Sequence, residues 1–168
     1  MSTLIQQPGQ APTISAEIRF GIMDLYAEYT AALDEGRYKD WADCFTSHAE
    51  YRLTTKENHE RNLPISIIYC DGKGMIEDRA FTTTETTISQ PRALRHIVSG
   101  MSVRADGDGY SVGADFLILQ TMLDRMTEVV MSGRYLDRVV VDGDRLRFER
   151  RLCVTDTLLY PTSIVAPV

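Results

Sequence analysis

The sequence has few of the residues that form local metal and redox sites. It contains three cysteines, Cys44, Cys70 and Cys153, an odd number with no two close together. Zinc knuckles and redox dithiols need cysteines at short spacings, so neither is expected here. Isolated cysteines in apolar segments are typical of buried free thiols in a reducing compartment.

Histidines are equally sparse, and His48, His59 and His96 lie far apart. Zinc and non-haem iron sites need converging His, Cys or carboxylate ligands, and a Rieske cluster needs paired Cys and His. Phosphate-binding loops, the nucleophile elbow and dinucleotide fingerprints are also missing from the sequence. We therefore predict no catalytic residue, no cofactor-binding residue and no metal ligand in this chain, although a site assembled from distant residues would leave no such motif.

Clusters of basic residues and long apolar runs are lacking too. The sequence has 18 Lys and Arg residues and 24 Asp and Glu residues, which gives a net charge of −6. Nucleic acid is therefore an unexpected partner. No apolar run approaches the ~20 residues of a membrane helix. Residues 1–13 are polar and lack the order of a signal peptide, so we expect a flexible N-terminal arm on a cytoplasmic protein. Residues 14–168 are expected to form a single domain.

The strongest pattern that is present consists of four long segments rich in β-branched and aromatic residues, which predict strands. Residues 106–109 and Asp142-Gly143 supply short turns, so neighbouring segments are expected to pair antiparallel. The second segment has an apolar middle on both faces and is expected to be central and buried. The four predicted strands are residues 92–105, 110–123, 127–141 and 145–156.

Alternation along the last of these strands separates two faces. Phe148 lies on one face, and Arg145, Arg147, Glu149 and Arg151 share the other. The charged face is expected to meet solvent or a polar partner, with an anion site as the alternative.

Helices are predicted before the sheet. Apolar residues repeat at helical spacing from a Ser15 N-cap to a Gly36 C-cap, and a short helix at 38–45 places Trp41 and Phe45 on one side. A strand near 50–54, an exposed loop at 56–62, an apolar segment at 65–70 and a helix at 75–86 follow in the chain. Helices on one face of a bent antiparallel sheet predict an α+β cone.

One catalytic arrangement is conceivable inside such a cone. His96, near the start of a strand, could form an acid–base pair with Asp34, Asp43, Tyr26 or Tyr29 from the helices. The favoured interpretation is structural: Arg95-His96 is a hydrogen-bonded pair at a strand, and both tyrosines are core or interface aromatics.

Several short runs, taken together, resemble the small (beta) subunits of aromatic-ring-hydroxylating dioxygenases. The similarity extends from about Tyr29 to Val168, with Gly100 standing where many members carry Asn. The loop at 57–64 is similar to members of the terephthalate and salicylate type. The runs that carry the resemblance are 33–38, 40–41, 45–51, 68–70, 75–76 with 78–79, 95–99 and 151–168.

The resemblance implies a nuclear-transport-factor-like (cystatin-like) cone with helices packed on a strongly curved antiparallel or mixed sheet. It also implies a non-catalytic assembly subunit that trimerises and binds a large (alpha) subunit as α3β3. The Rieske [2Fe-2S] cluster and mononuclear Fe(II) are then expected in the large subunit, and NADH is expected to supply electrons through a separate reductase or ferredoxin. The substrate is expected to be an aromatic, carboxylated compound.

Two alternatives remain on the same fold. One is a stand-alone dehydratase or isomerase that uses His96 with a carboxylate, and the other is a small-ligand-binding protein with an apolar cavity. A cone filled by side chains favours the subunit, whereas a cavity that exposes His96 favours the alternatives.

The last residues, 158–168, are apolar but interrupted by prolines, which is unusual for a free chain end. We predict that this segment is an assembly element, because exposed apolar patches mark interfaces. The alternative is that it packs on its own domain and closes the cone.

Overall fold

A computed structural model describes residues 14–86, 91–159 and 166–168 of the chain. Helix α1 (Ala16–Asp34) begins as predicted at Ser15, whose hydroxyl accepts a hydrogen bond from the Ile18 amide at 3.2 Å. The helix ends just before Gly36, which adopts φ 70°, a left-handed conformation that costs glycine little. Both predicted helix ends are confirmed.

The next segment differs from the prediction in its boundaries. Helix α2 (Tyr38–Asp43) stops earlier than expected, and strand β1 (Phe45–Thr55) begins earlier and is longer. Trp41 and Phe45 nevertheless pack together as predicted, fully buried, with ring centroids 5.3 Å apart.

The predicted exposed loop at 56–62 is wrong in part, because helix α3 (Lys56–Glu60) forms there. Thr55 caps this helix by accepting a hydrogen bond from the Asn58 amide at 3.2 Å, and Arg61 pairs with Glu57 one turn away at 2.7 Å. The apolar segment that follows contains strand β2 (Ile68–Asp71).

The helix predicted at 75–86 is confirmed as α4 (Lys73–Phe81), which continues into one π-helical turn (Thr82–Thr86). Threonine is a weak helix former because its side chain competes for backbone hydrogen bonds. Here the hydroxyls bond backward within the helix: Thr82 donates to the Asp78 carbonyl at 2.7 Å and Thr84 to the Ala80 carbonyl at 3.0 Å.

The four predicted strands are confirmed as an antiparallel meander. They are β3 (Arg92–Asp106), β4 (Gly109–Met122), β5 (Glu128–Asp142) and β6 (Arg145–Thr155). The six strands lie in the order β2-β1-β6-β5-β4-β3, antiparallel except for the parallel pair β1–β6. The curved mixed sheet with helices on its concave side is the predicted α+β cone.

The core lies between the concave face of the sheet and the helices, with α1 lying against β3. Cys44, Cys70 and Cys153 are buried there as free thiols, as predicted. The largest fully buried apolar and aromatic side chains of the described residues are Trp41, Tyr29, Tyr51, Tyr135, Phe45, Phe148, Ile22, Leu33, Leu53, Ile76 and Val112.

The position predicted for Arg151 on a wet face is wrong. In the pairing of β5 with β6, Arg138 lies opposite Arg150 but Val139 lies opposite Phe148, so Glu149 is an extra residue on β6. Such a bulge shifts the alternation of side chains by one. Phe148 and Arg151 therefore both point into the core, and Arg151 is fully buried.

Strand β4 is buried on one face alone. It lies between β3 and β5, and its concave side, including Phe116 and Ile118, is buried as expected. On the convex side Leu117 and Leu119 are half-buried, and Leu123, one residue past the end of β4, is 93% exposed. The prediction that both faces are covered is not met within this chain.

No helix of the described residues has the length and apolar character needed to cross a membrane. The predicted N-terminal arm, residues 1–13, lies outside the described residues.

Candidate functional site

A buried polar cluster lies in the middle of the cone, built around Arg151. Its guanidinium carbon lies 3.7 Å from the ring centroids of both Tyr29 and Tyr135, close enough for cation–π attraction on two sides. Its Nη1 donates to Oδ2 of Asp137 at 3.1 Å, and both side chains are fully buried. This ion pair joins the neighbouring strands β5 and β6 at the position where they are in register.

Asp137 also accepts a hydrogen bond from the hydroxyl of Tyr26 on α1. Burial raises the pKa of Asp137 to about 6, although the Arg151 charge opposes this shift. Burial and the Asp137 charge raise the pKa of Tyr26 well above its ordinary value. A carboxyl group with a pKa near 6 can exchange a proton near neutral pH, but these side chains are packed against aromatic rings instead of facing a substrate space.

The second polar cluster joins His96 on β3 to Asp34 at the end of α1. Nδ1 of His96 lies 2.7 Å from Oδ1 of Asp34, and the His96 amide donates to the same oxygen at 3.0 Å. The imidazole is 1% exposed and the carboxylate 6%. Arg95 points outward, is 71% exposed and approaches Asp34 at 3.5 Å. His96 is thus part of a hydrogen-bonded structure, as favoured, but Asp34 is its partner and Arg95 is not.

The other predicted partners of His96 lie elsewhere. Asp43 is at the surface, 3.2 Å from Lys73, Tyr26 bonds Asp137, and Tyr29 lies against Arg151. Within the described ranges, Nε2 of His96 is buried and has no hydrogen-bond partner. The structure therefore brings together one of the four proposed pairs.

The His96–Asp34 cluster and the Arg151 cluster both lie on the inner side of the sheet, but at different positions along its strands. His96 is in register with Ile118 and Met131, whereas Arg151 is in register with Asp137, six residues further along β5. At about 3.3 Å per residue this separation is about 20 Å along the strand. His96 and the Arg151 cluster do not form one site.

Residues at the end of the sequence fill space beside Arg151. The carbonyl oxygen of Val168 accepts hydrogen bonds from the hydroxyls of Tyr29 and Tyr51, the latter at 3.3 Å, and the Val168 amide donates to Tyr51 at 2.8 Å. Val168 is buried with Ala166 and Pro167. For these three residues the structure supports the alternative, packing on their own domain.

The preceding part of the same segment is different. Leu158 is 63% exposed and Leu159 is 90% exposed, so both are available to a partner. Residues 160–165, which complete the predicted assembly segment, lie outside the described residues.

Two surface grooves are also present, and neither touches the clusters around His96 and Arg151. One, of about 410 Å³, lies between α2 and α4, and the other, of about 430 Å³, lies between α1 and the β5–β6 turn. Within the described residues, no group of three or more His, Cys, Asp or Glu side chains is arranged to hold a metal ion.

Sequence reasoning missed Asp137, Arg151 and Tyr135 as interior polar residues. The alternation Tyr135, Asp137, Val139 on β5 does place a carboxylate among inward positions, and that signal was available. Its partner Arg151 could not be identified without the bulge at Glu149, which depends on the pairing with β5.

Comparison with known proteins identifies the family. Residues 15–152 match the model of the SnoaL-like domain. The chain is 29% identical to the anthranilate 1,2-dioxygenase small subunit of Burkholderia cepacia, over 89% of this chain and 93% of that one. It is 30% identical to a beta subunit of the terminal oxygenase component of terephthalate 1,2-dioxygenase from Comamonas, over 84% of this chain and 93% of that one.

A solved structure agrees with these relatives. The crystal structure of a protein from Novosphingobium aromaticivorans, assigned as the beta subunit of an aromatic-ring-hydroxylating dioxygenase, superimposes with a TM-score of 0.80 at 29% identity. The similarity covers 90% of this chain and 97% of that one. The chain therefore belongs to the SnoaL-like domain family and, within it, to the small (beta) subunits of aromatic-ring-hydroxylating dioxygenases.

Proposed function

We propose that this chain is the non-catalytic assembly subunit of a multicomponent aromatic-ring-hydroxylating dioxygenase. The observation that carries the proposal is the packing of the interior around Arg151: its guanidinium lies between the rings of Tyr29 and Tyr135, and Val168 is hydrogen-bonded to Tyr29 and Tyr51. Among the described residues, side chains and backbone thus occupy this part of the cone. This packing supports a structural role for the interior.

The partner and the cofactors are proposed from the family. A small subunit requires a large one, and we propose an α3β3 assembly in which the large subunit holds the Rieske cluster and the mononuclear iron. A separate reductase or ferredoxin would deliver electrons from NADH, and the complex would work in the cytoplasm. We also propose that residues 14–168 form one domain.

The substrate class is proposed from the relatives. Anthranilate and terephthalate, the compounds named for two relatives, are both aromatic rings that carry carboxylates. We propose that the complete enzyme hydroxylates a carboxylated aromatic ring, and that the large subunit recognises the carboxylate.

A second candidate function rests on His96. Its pairing with Asp34 at 2.7 Å and its buried, unpartnered Nε2 resemble an oriented general base, as a dehydratase or isomerase would need. The imidazole is 1% exposed, however, and a base must reach the proton that it abstracts. The burial of His96 favours the assembly subunit.

The test is co-purification from the organism that encodes the chain. A tagged copy should bring down a larger partner that contains iron, and size-exclusion chromatography should show both in one complex. Finding the tagged chain alone, with dehydratase or isomerase activity in the same fraction, would contradict the proposal.

The exposed leucines give a sharper version of this test. The substitutions Leu158→Glu and Leu159→Glu place charges on this exposed surface. They should weaken the complex if the surface takes part in assembly. Phe20→Glu is the matched control, because Phe20 is similarly exposed at 64% but lies on α1. Equal effects of the two changes would show that the tail has no special role.

A further inference from the structure

The surface groove between α1 and the β5–β6 turn has an apolar floor. Its volume is about 430 Å³, and Ile18, Leu25 and Leu146 line it. Gly21 lies beside them on α1, and a Cβ at this position would lie 2.9 Å from Cδ1 of Leu146. The glycine therefore lets Leu146 approach the helix and leaves the middle of the groove without a side chain. Val141, at the end of β5, also lines the groove and is 57% exposed, so apolar surface is open to a partner.

The rim of this groove is negatively charged. Glu17 and Asp24 on α1 and Asp144 in the turn line it, and all three are exposed. Arg145 is the one basic residue that the structure describes along the groove, and its Nη2 lies 2.7 Å from Oε2 of Glu28, a fourth carboxylate of the lining. Among the described residues the first three carboxylates form no ion pair. Residues 1–13, 87–90 and 160–165 include no Lys, Arg or His, so the chain has no further basic side chain to neutralise them.

The spacing of the two carboxylates on α1 fits a helical partner. Glu17 and Asp24 are seven residues apart in the sequence, which places them on one face of the helix about two turns, or about 10 Å, apart. Gly21 lies between them on the same face. A helix that lies along the groove with Lys or Arg two turns apart would bring each basic group to one carboxylate, and an apolar residue between them would lie over Gly21.

The charge of the groove disfavours a second copy of this chain as the occupant. A symmetric dimer through this face would bring the same carboxylates of the two copies together. Like charges that face each other across an interface are costly, and the net charge of −6 on each chain adds to the repulsion. Charge complementarity therefore favours a different, basic partner.

We propose that this groove, with Gly21 and Leu146 at its floor and Glu17, Asp24 and Asp144 at its rim, docks a basic amphipathic helix of another protein. The docked helix carries Lys or Arg two turns apart and an apolar residue between them. The inference stands whether or not the chain binds a large subunit.

Synthetic helical peptides test the proposal on the full chain. The first peptide has two lysines two turns apart with leucines between them, the second has glutamates in place of the lysines, and the third has glutamines in place of the leucines. Fluorescence anisotropy should show binding of the first peptide alone, weakening as salt is raised because surface charges are screened. No binding of the first peptide would overturn the proposal, and so would equal binding of the first and third, because charge alone would then hold them.

Two neutralising double variants locate the site. Glu17→Gln with Asp24→Asn should weaken binding of the lysine peptide about tenfold, since two exposed ion pairs are lost. Glu60→Gln with Glu128→Gln is the matched control: both carboxylates are exposed, on α3 and at the start of β5, and the net charge changes equally. The control should change the affinity less than about twofold. Equal losses in the two double variants would show that only the net charge matters and would overturn the proposal.

Charge reversal provides a gain of binding. Glu17→Lys with Asp24→Lys should bind the glutamate peptide and lose the lysine peptide. Failure to bind the glutamate peptide, in a chain that circular dichroism shows to be folded, would contradict the groove as the docking site. Sedimentation velocity tests the other occupant: self-association of the unchanged chain that Glu17→Gln with Asp24→Asn abolishes would assign the groove to a second copy and overturn the proposal.

Discussion

Arg151 and Asp137 form an ion pair in which neither side chain reaches solvent, with Nη1 and Oδ2 3.1 Å apart. Taking two charges out of water is expensive, and their attraction offsets the cost where further contacts complete the geometry. Tyr26 supplies a hydrogen bond to Asp137, and the rings of Tyr29 and Tyr135 cover the guanidinium. The arrangement makes each charge dependent on the other.

Removing one partner should therefore be costly. Arg151→Met leaves Asp137 buried and unpaired, and we expect the free energy of unfolding to fall by about 3–5 kcal/mol in urea denaturation. The double variant with Asp137→Leu should recover most of that loss, because no buried charge remains. Arg150→Met is the matched control: Arg150 is the neighbouring residue, exposed on the opposite face, and should change stability by less than about 0.5 kcal/mol. Equal midpoints for the two single variants would show that the pair has no such role.

The pKa of Asp137 predicts an unusual pH dependence. Burial raises it to about 6 in the folded chain, whereas an unfolded aspartate titrates near about 3.9. Between these values the folded state binds more protons, so the contribution of Asp137 to stability is full below about pH 4 and is lost as pH rises through about 6. The free energy of unfolding of the unchanged chain should thus exceed that of the Asp137→Asn variant by an amount that decreases from pH 4 to pH 6. Urea denaturation at several pH values measures this difference, and an increase over the same window would contradict the raised pKa.

These interior groups also show how far the sequence alone could lead. Strands β3 to β6 and helix α1 follow from local alternation, glycine-containing turns and the Ser15 cap, which are properties of neighbouring residues. The burial of Arg151 depends on Glu149, the extra residue of β6 in its pairing with β5. The position of Val168 depends on a hydrogen bond to Tyr51, which is 117 residues away in the sequence. His96 and Asp34 were named as candidates by residue type, but their meeting across 62 residues is set by the packing of α1 on β3.

The pair of His96 and Asp34 should act in folding and assembly instead of chemistry. His96→Ala leaves the Asp34 carboxylate buried with one fewer partner, and we expect a loss of about 1–3 kcal/mol in the free energy of unfolding. Arg95→Ala is the matched control, since Arg95 touches the same carboxylate from solvent and should cost about 0.5 kcal/mol or less.

The assembled enzyme distinguishes the two functions proposed for this chain. With His96→Ala, turnover should fall in proportion to the amount of complex formed with the large subunit. Normal assembly combined with lost turnover would assign His96 to a reactive site and would favour the second candidate function.

Metal content gives an independent check on the division of labour between subunits. The purified chain should contain no stoichiometric iron, because its sequence has neither the paired cysteines and histidines of a Rieske cluster nor paired histidines for a mononuclear site. Elemental analysis before and after chelator treatment measures this. About one iron per chain that resists the chelator would contradict a cofactor-free subunit.

Gly100, the position where many relatives are expected to carry Asn, interrupts β3 at a register shift and adopts φ 62°. A Cβ at this position would lie 2.7 Å from Oδ2 of Asp115, whose carboxylate pairs with Arg134 at 3.3 Å. Gly143 also has positive φ, 68°, but nothing lies within 4 Å of its Cβ position. The two glycines therefore separate the cost of the backbone conformation from the cost of the contact.

Gly143→Ala should lower the free energy of unfolding by about 1–2 kcal/mol, the cost of a left-handed conformation for alanine. Gly100→Ala should cost more, because Asp115 must also move away and lose its position beside Arg134. Adding Asp115→Ala should bring the cost of Gly100→Ala down to that of Gly143→Ala, measured against the Asp115→Ala chain. Gly100→Asn should fall between the two alanine variants, since asparagine tolerates positive φ better but still meets Asp115. Equal costs for Gly100→Ala and Gly143→Ala with Asp115 in place would show that the carboxylate moves aside freely and that the glycine is kept for its backbone conformation alone.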